Sequence, residues 1–586
     1  MVNVGIDIGT SNTVVAVVRA DGKAEVVNFP GGYAVPSVVY IDPTAGRRVV
    51  GRPAEDEWAD PESQSEFVFR RWKLRMGEGA TLATLPFGRP EERAITPERL
   101  TTLLVEHVAG ALAGGVGGEE IESVVVTVPH GWRREHPDKC VATREAAGAA
   151  QVAGERLRVQ ERAVDEPVAA AAYWLSEVPN RDEFVGRTVL VVDLGGGTFD
   201  LSLVEVGRED TPLVVVDAIN NNTAGDFATA ILLGKAVAVL NEQTRSKHPT
   251  EPEVLLTLLA HAGYGWLRRA FLDMQNEIHA QSYAIWMAQA RGRQPGEASR
   301  PVELTGPDGT RISFRQSALG TLRLLEPFYE SGRHLLRRFL GLQDKGRLPH
   351  AVVFAGGGSR IGGVASEIVR PVFEEVFAEA GLDAAAVFDR SHLHELNKLK
   401  IDQAIALGAA LVAAGRVSIE ERLLFDIGMV FHVPAAMAAL LGLGAERQLC
   451  LVSPLLPRGS VLPVSFQTAR ARFPQLIVPA LEHLEYQIVV FDDPSDPWLR
   501  TWTSDNPADG IGNVDVEVHA NADGILNVTV RTAEGESVSV SGELQRNRRL
   551  LAPKGLAFAP APGGDLPPVV TPDQIAALGR GRRADA

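Results

Sequence analysis

Two stretches whose acids stand 186 positions apart constrain this fold more than any other feature of the chain. Leu190 to Val206 reads LVVDLGGGTFDLSLVEV, and Asn3 to Val18 reads NVGIDIGTSNTVVAVV. Each is an apolar run closed by an acid, a turn of small residues, and a second apolar run, which is the pattern of a β-hairpin with a tight turn. Superposed, Asp7 falls on Asp193, Gly9 on Gly195, and Thr10 and Ser11 on Gly196 and Gly197. The spacing is far too long for a solenoid unit. It points to a duplicated domain of two similar lobes, each presenting one acid-plus-turn loop.

Strand and helix patterns alternate around these hairpins, which implies α/β layers. IESVVVTVPHGW reads as a strand stopped by Pro129, TREAAGAAQVAGERL as an Ala-rich helix, and DEPVAAAAYWLSEV as a helix with Pro167 in its first turn. Long amphipathic patterns follow around Leu255–Ala284 and Ser317–Leu340, then a strand, a Gly-rich turn and a helix in HAVVFAGGGSRIGGVASEIVRPVFEEVF. DQAIALGAALVAAG closes the region as a helix of small residues. Beyond SIEERLLFDI the character changes to short, closely spaced strands such as QLCLVSPLL, LEYQIVVFD and GILNVTVRTA, and NVDVEVHANADGILNVTV has the alternation and Ala-Asp-Gly turn of a hairpin. The expected organisation is an α/β domain over 1–416, a linker over 417–427, an antiparallel β-sandwich over 428–547, and a Pro/Gly-rich tail over 548–586 with at most a short helix.

Composition removes several classes of function. The net charge of −16 argues against nucleic acid as a sequence-independent partner, because phosphate backbones need a basic surface. Cys140 and Cys450 are the only cysteines, too few for a disulfide framework or a metal site. With an opening VNVGIDIG that has no basic or apolar leader pattern, the expected location is the reducing cytoplasm. The longest apolar stretch, Val433 to Ala445, is too short to span a bilayer, so no membrane is expected as a partner.

The chemistry lies in the turns. Gly9-Thr10-Ser11, Gly195-Gly196-Gly197 and Gly356-Gly357-Gly358 each follow a strand, and successive small residues let backbone N–H groups converge on an anion. One such turn is weak evidence, but three in one region, two of them with matched acids, indicate a phosphate cradle. No GxxxxGK[ST] is present, since LLGKAV lacks both the following hydroxyl and the upstream glycine, so the cradle is not a P-loop. The expected site is a nucleotide held between two lobes, with Asp7 and Asp193 facing each other across a hydrated Mg²⁺.

The motifs GIDIGTSNT, VPSVV, VVTVP, DEPVAAAAYW, VVDLGGGTFDLSLVEV, AGGGSRIGG and DQAIALGAA occur in the order and near the spacings of the seventy-kilodalton heat-shock (DnaK-type) chaperones. LLFDIG resembles that family's interdomain linker, and NVDVEVHANADGILNVTVRTAEG the end of its substrate domain. The resemblance runs to about Leu544 and implies an actin-like, ribonuclease-H-type two-lobed ATPase followed by a peptide-binding β-sandwich. It implies ATP/ADP and Mg²⁺ as cofactors, with K⁺ as a further cation. The partners it implies are a client polypeptide, a J-domain co-chaperone and a nucleotide-exchange factor.

Carried over by motif, Thr10, Ser11 and Asn12, after Gly9, contact the β- and γ-phosphates from one lobe, and Gly195, Gly196, Gly197 and Thr198 from the other. Asp7 and Asp193 hold the metal, and Asp193 or Asp200 orients the attacking water. Lys73 matches the lysine of K-x-x-x-G that stabilises the transferring phosphoryl, with Arg70 and Arg71 as alternatives. Glu166 is the acid that senses the nucleotide and couples to Pro129. Gly357, Gly358, Ser359 and Arg360 frame the adenosine, with Arg360 over the base, and Asp402 lies in the matching adenosine-side segment.

The chain also departs from the family pattern. GGxDFD becomes TAGDFA, keeping Asp226 and Phe227, and LRRAFLDMQNEIHAQ has neither a Glu nor a Lys at the spacing expected of the adenosine-clamping helix. WRREHPDK obscures the arginine expected to relay nucleotide state. HVPAAMAALLGLGAERQL stands where peptide-gripping loops belong, and the stretch after Leu544 is too short for a helical lid. The expected function is therefore that of a lidless chaperone-like ATPase, with a nucleotide-bound scaffold lacking useful turnover as the alternative.

Overall fold

In the computed structural model the described residues are 1–60, 67–86, 88–89, 93–115, 120–207, 213–261, 264–289, 291–391, 400–417, 426–433, 449–456, 460–461, 464–467, 486–493, 496–498, 515–520, 525–531, 537–543 and 569–570. Contacts divide the chain into one unit of 1–131 with 139–419 and a second of 132–138 with 420–586.

The first unit is built on two sheets of the same plan. Strand β1 (Val2–Ile8) turns at Gly9 into antiparallel β2 (Asn12–Val18), which is flanked by β3 (Ala24–Val26) and β4 (Ala34–Pro36). On the other side β1 runs parallel to β5 (Ile121–Val128), which pairs in turn with the short β6 (Val164–Asp165). The second sheet repeats this arrangement with β7 (Thr188–Leu194), antiparallel β8 (Phe199–Glu205) and β9 (Val214–Asn221), and parallel β10 (Ala351–Ala355). The shared order is β5-β1-β2-β3 in one sheet and β10-β7-β8-β9 in the other. The duplication inferred from the hairpins is thus a duplication of strand order. It has one asymmetry: Asp193 pairs with Asp200, but Asp7 pairs with Val14, so the second sheet carries an extra acid.

Both hairpins are almost wholly apolar because both faces of each sheet are covered. Helix α1 (Glu166–Glu177) lies on β7 and β10, and helix α4 (Ala404–Ala413) lies on β1, β2 and β5. The two helices pack on each other through small side chains, with Ala169–Ala172 and Ala404–Ala410 buried. The approach is closest at Gly408, where a Cβ would lie 1.7 Å from the Ala169 carbonyl oxygen. Helices α2 (Gly225–Thr244) and α3 (Gly265–Gln289) belong to the large apolar core on the β7–β8 side of the second sheet, together with Leu201, Leu203, Phe271 and Met274.

The expected Ala-rich helix over TREAAGAAQVAGERL does not run its full length. The helix covers Pro137–Gly148, and the chain then forms a small antiparallel hairpin of Gln151–Val152 with Glu155–Arg156. Ala153 and Gly154 both have positive φ, 53° and 88°. That is the backbone of a tight primed turn, and the turn chemistry of Ala-Gly overrides the helix propensity of the alanines. The pattern over Leu255–Ala284 likewise resolves into Pro252–Leu258 and α3.

In the second unit Asp426–Val433 pairs antiparallel with both Leu449–Leu456 and Tyr486–Asp493. A separate antiparallel sheet runs Val464–Gln467, Asp515–Ala520, Ile525–Arg531, Ser537–Glu543. Apart from Asp426–Val433, which begins inside the expected linker and runs into HVPAAMAALLGLGAERQL, these strands fall on segments expected to be strands. The linker residues RLLF, most of HVPAAMAALLGLGAERQL, the Ala-Asp-Gly turn and nearly all of the tail lie outside the described residues. Cys140 is buried.

Candidate functional site

The three glycine turns meet. The first is braced from outside by Ser37, whose Oγ donates to the Gly9 carbonyl at 2.8 Å and lies 3.0 Å from Thr13 Oγ1. Its Ser11 reaches the second turn so closely that a Cβ on Gly196 would sit 2.2 Å from Ser11 Oγ. The second turn is closed by Gly195 N–H donating to the Thr198 carbonyl at 2.9 Å. It also receives the start of α2, where Gly225 N–H donates to Gly195 O at 3.0 Å and Asp226 N–H to Gly196 O at 2.8 Å. The third turn, after β10, presses on the same place: a Cβ on Gly358 would lie 2.7 Å from Gly195 O. A Cβ would collide at both Gly196 and Gly358, so the closest approach of the turns depends on glycine there.

Beside the turns, at the carboxyl ends of β1 and β7, lies a cluster of buried charge. Lys73 Nζ donates to Glu166 Oε1 at 2.7 Å, both side chains being buried. Burial opposes the ammonium charge, but Glu166, Asp7 and Asp193 outweigh it and hold the Lys73 pKa above its ordinary value. Lys73, rather than Arg70 or Arg71, is therefore the cation placed among the carboxylates. Burial, then the Glu166 carboxylate, push the Asp7 carboxyl up to about 7 against the pull of Lys73 and a 3.2 Å hydrogen bond from Thr127 Oγ1. Burial also pushes Asp200 up to about 7, even though the Thr198 side chain donates to it. Asp193 is raised well above the carboxylate range by burial and then by Glu166, Asp200 and Asp7. Glu166 opens α1 directly after β6. Because β6 pairs with β5 at Val128–Asp165, Glu166 and Pro129 are the next residues of paired strands.

On the far side of the third turn Arg360 donates to Asp402 Oδ1 at 2.6 Å, and Tyr33 donates to the other oxygen of the same carboxylate. Burial and then Asp402 raise the Tyr33 pKa. Helix α3 brings His279 to this place. Burial, then the Arg360 guanidinium, hold its pKa below the ordinary histidine value against the opposing Asp402, although part of the ring faces solvent. The segment without a Glu and Lys at the expected spacing thus offers an imidazole here.

Several residues of the site were not singled out in the sequence. Ser37 stands inside VPSVV, Thr127 inside VVTVP, and buried His130, 2.5 Å from Asp165 Oδ2, directly follows that motif. Their neighbours carried the signal, but only the pairing of β5 with β1 and β6 turns them into the site.

A magnesium nucleotide fits this donor set. Four acids, Asp7, Asp193, Asp200 and Glu166, share one ammonium, so ionising them together demands further positive charge. Among the described residues no group of three or more His, Cys, Asp or Glu is arranged to hold a metal by itself. A cation would then keep water and phosphate oxygens as ligands, which is the habit of Mg²⁺. Ser11 Oγ is buried without a hydrogen-bond partner, as suits a phosphate ligand.

Residues 3–232, the span that contains both hairpins, match the family model described as Hsp70 protein. Relatives named Chaperone protein DnaK include that of Thermotoga petrophila, 27% identical over 474 residues, which are 79% of this chain and 66% of the relative. That of Thermosipho africanus is 26% identical over 560 residues, 92% of this chain and 80% of the relative. The chain spans 66% of the length of the Thermotoga relatives. The Hsp70 family match contains both duplicated hairpins, and the chain is similar to DnaK chaperones along most of its length.

Proposed function

We propose that this protein is a chaperone-type ATPase that binds Mg-ATP between its two sheets and hydrolyses it slowly to ADP and phosphate. The observation that carries this reading is the convergence of the three glycine turns beside Lys73, Asp7 and Asp193. The turn amides, Thr10, Ser11, Asn12 and Thr198 bind the phosphates. Asp7 and Asp193 hold the hydrated Mg²⁺, which supplies charge neutralisation on the phosphate oxygens. Lys73, kept protonated by Glu166, stabilises charge on the terminal phosphoryl. Asp200, whose pKa of about 7 suits proton acceptance near neutral pH, orients water for attack on that phosphorus, ADP being the leaving group. Gly357, Gly358, Ser359 and Arg360, pinned by Asp402, frame the adenosine.

The two C-terminal sheets, read as a β-sandwich, hold a client polypeptide, and the linker passes nucleotide state to it. A J-domain protein and a nucleotide-exchange factor are the partners the family reading brings, and the cytoplasm the location. No helix among the described residues is long and apolar enough to cross a membrane.

Single-turnover hydrolysis of Mg-ATP tests the proposal, alongside Thr198→Ala and proteolysis near Leu423 with ATP and with ADP. Slow hydrolysis, a further loss in Thr198→Ala, and cleavage that depends on the nucleotide are expected. Binding with no turnover in the unaltered chain would replace the ATPase reading with that of a nucleotide-bound scaffold. The absence of any nucleotide effect on cleavage would remove the coupling.

A further inference from the structure

Arg71 has no role in the site described above, yet its guanidinium lies beside the second glycine turn, where the Thr10 side chain of the first turn also approaches. It is one of only three non-glycine residues with positive φ among the described residues, at 62°. A left-handed arginine is uncommon, and such conformations persist where the surroundings impose them. From that backbone the guanidinium reaches the meeting point of the turns. A Cβ at Gly197 would lie 3.7 Å from Arg71 Nη2 and 3.4 Å from the Thr10 methyl. The other end of the fork, Nη1, is 3.7 Å from Asp226 Oδ2.

That distance is within ion-pair range but beyond a hydrogen bond. It is a weak resting contact for a group whose planar fork is suited to two short bonds with a phosphate. Asp226 is buried in the first turn of α2, tied to the second glycine turn by its own N–H. Its Oδ1 is buried without a hydrogen-bond partner. The Arg71 side chain is 33% exposed, whereas that of Asp226 is 5% exposed. When Arg71 leaves, Asp226 keeps a cation: Arg70, stacked 4.5 Å over Trp58, acts on the same carboxylate.

We propose that Arg71 is the residue by which this site distinguishes a nucleoside triphosphate from a diphosphate, exchanging its long ion pair with Asp226 for the terminal phosphate. The inference rests on the nucleotide reading above and adds to it a sensor for the γ-phosphate. A diphosphate ends one phosphoryl group short, so Arg71 stays with Asp226. The device lies between the sheets, since Arg71 belongs to the segment after Val68–Arg70 and Asp226 to the helix after β9. Swapping one partner for the other therefore reports the γ-phosphate to the start of α2.

The experiment is calorimetric titration of the full chain with Mg-ADP and with the Mg complex of a non-hydrolysable β,γ-imido ATP. Arg71→Ala should lower the preference for the triphosphate about tenfold, the factor equal to about 1.4 kcal/mol. Arg71→Lys should retain part of it, since a point charge reaches phosphate without the fork. Asp226→Asn should shift the preference the other way, because it removes the competitor that holds Arg71 at rest. Opposite shifts in the two variants cannot come from misfolding. An unchanged ratio in Arg71→Ala, or a fall in Asp226→Asn matching that in Arg71→Ala, would overturn the proposal with nucleotide binding intact. Failure of the unaltered chain to bind either nucleotide would instead overturn the function on which it rests.

Discussion

Replacing Asp200 by Asn should stabilise the nucleotide-free protein, and by more as the pH rises. Burial holds the Asp200 carboxyl at about 7, against an ordinary value of 3.8. The folded state therefore keeps a proton that the unfolded chain has already released between those two values. Stability linked to that proton is fully present below pH 3.8 and is lost as pH rises through 7. A shift of about three units corresponds to about 4 kcal/mol at 1.36 kcal/mol per unit. The side chain keeps a solvent-facing edge that screens the charge, so about 2 kcal/mol is expected between pH 5 and pH 8. Asn has nearly the same shape, accepts the Thr198 hydrogen bond and does not ionise. Chemical denaturation of wild type and Asp200→Asn at pH 5, 6, 7 and 8 measures the difference directly, and comparing the two cancels every titrating group that does not interact with Asp200, leaving Asp200 and the Asp193 it acts on. A difference that stays flat, or wild type gaining on the variant as pH rises, would refute the reasoning.

Two further perturbations probe the same site and its support. Lys73→Met leaves Glu166, Asp7 and Asp193 without their shared cation. It should cost about 3–5 kcal/mol in denaturation at pH 8, less at pH 5 where the carboxyls take up protons, and should lower single-turnover hydrolysis by about 100-fold. Gly408→Ala places a methyl 1.7 Å from the Ala169 carbonyl, so α1 and α4 must separate. A loss of about 3 kcal/mol is expected in thermal or chemical unfolding, with the strand-order core otherwise unchanged.

Much of the site can be read along the chain because it is written locally. An acid at the end of an apolar run followed by small residues specifies both a hairpin and the anion-binding turn it carries, and nothing distant is needed to recognise it. Lys73 was harder: its neighbours Arg70 and Arg71 offered the same charge within three positions. Only burial separated them, placing Lys73 among the carboxylates, Arg70 on Trp58 and Arg71 at the glycine turns. The error over TREAAGAAQVAGERL has a different cause, since alanine propensity is a weak local term and the Ala153-Gly154 turn overrides it.

By itself the sequence determined the duplication, the acid-plus-turn loops and the absence of a P-loop, because hydrophobic periodicity and turn chemistry act over a few residues. The tertiary structure decided which distant groups meet: Glu166 with Lys73, Arg360 with Asp402, His279 beside that pair, and Arg71 with Asp226. It also raised the pKa of Asp7, Asp193 and Asp200. A carboxyl pKa depends on what surrounds it in space, and neither burial nor the proximity of three other acids can be read from spacing along the chain.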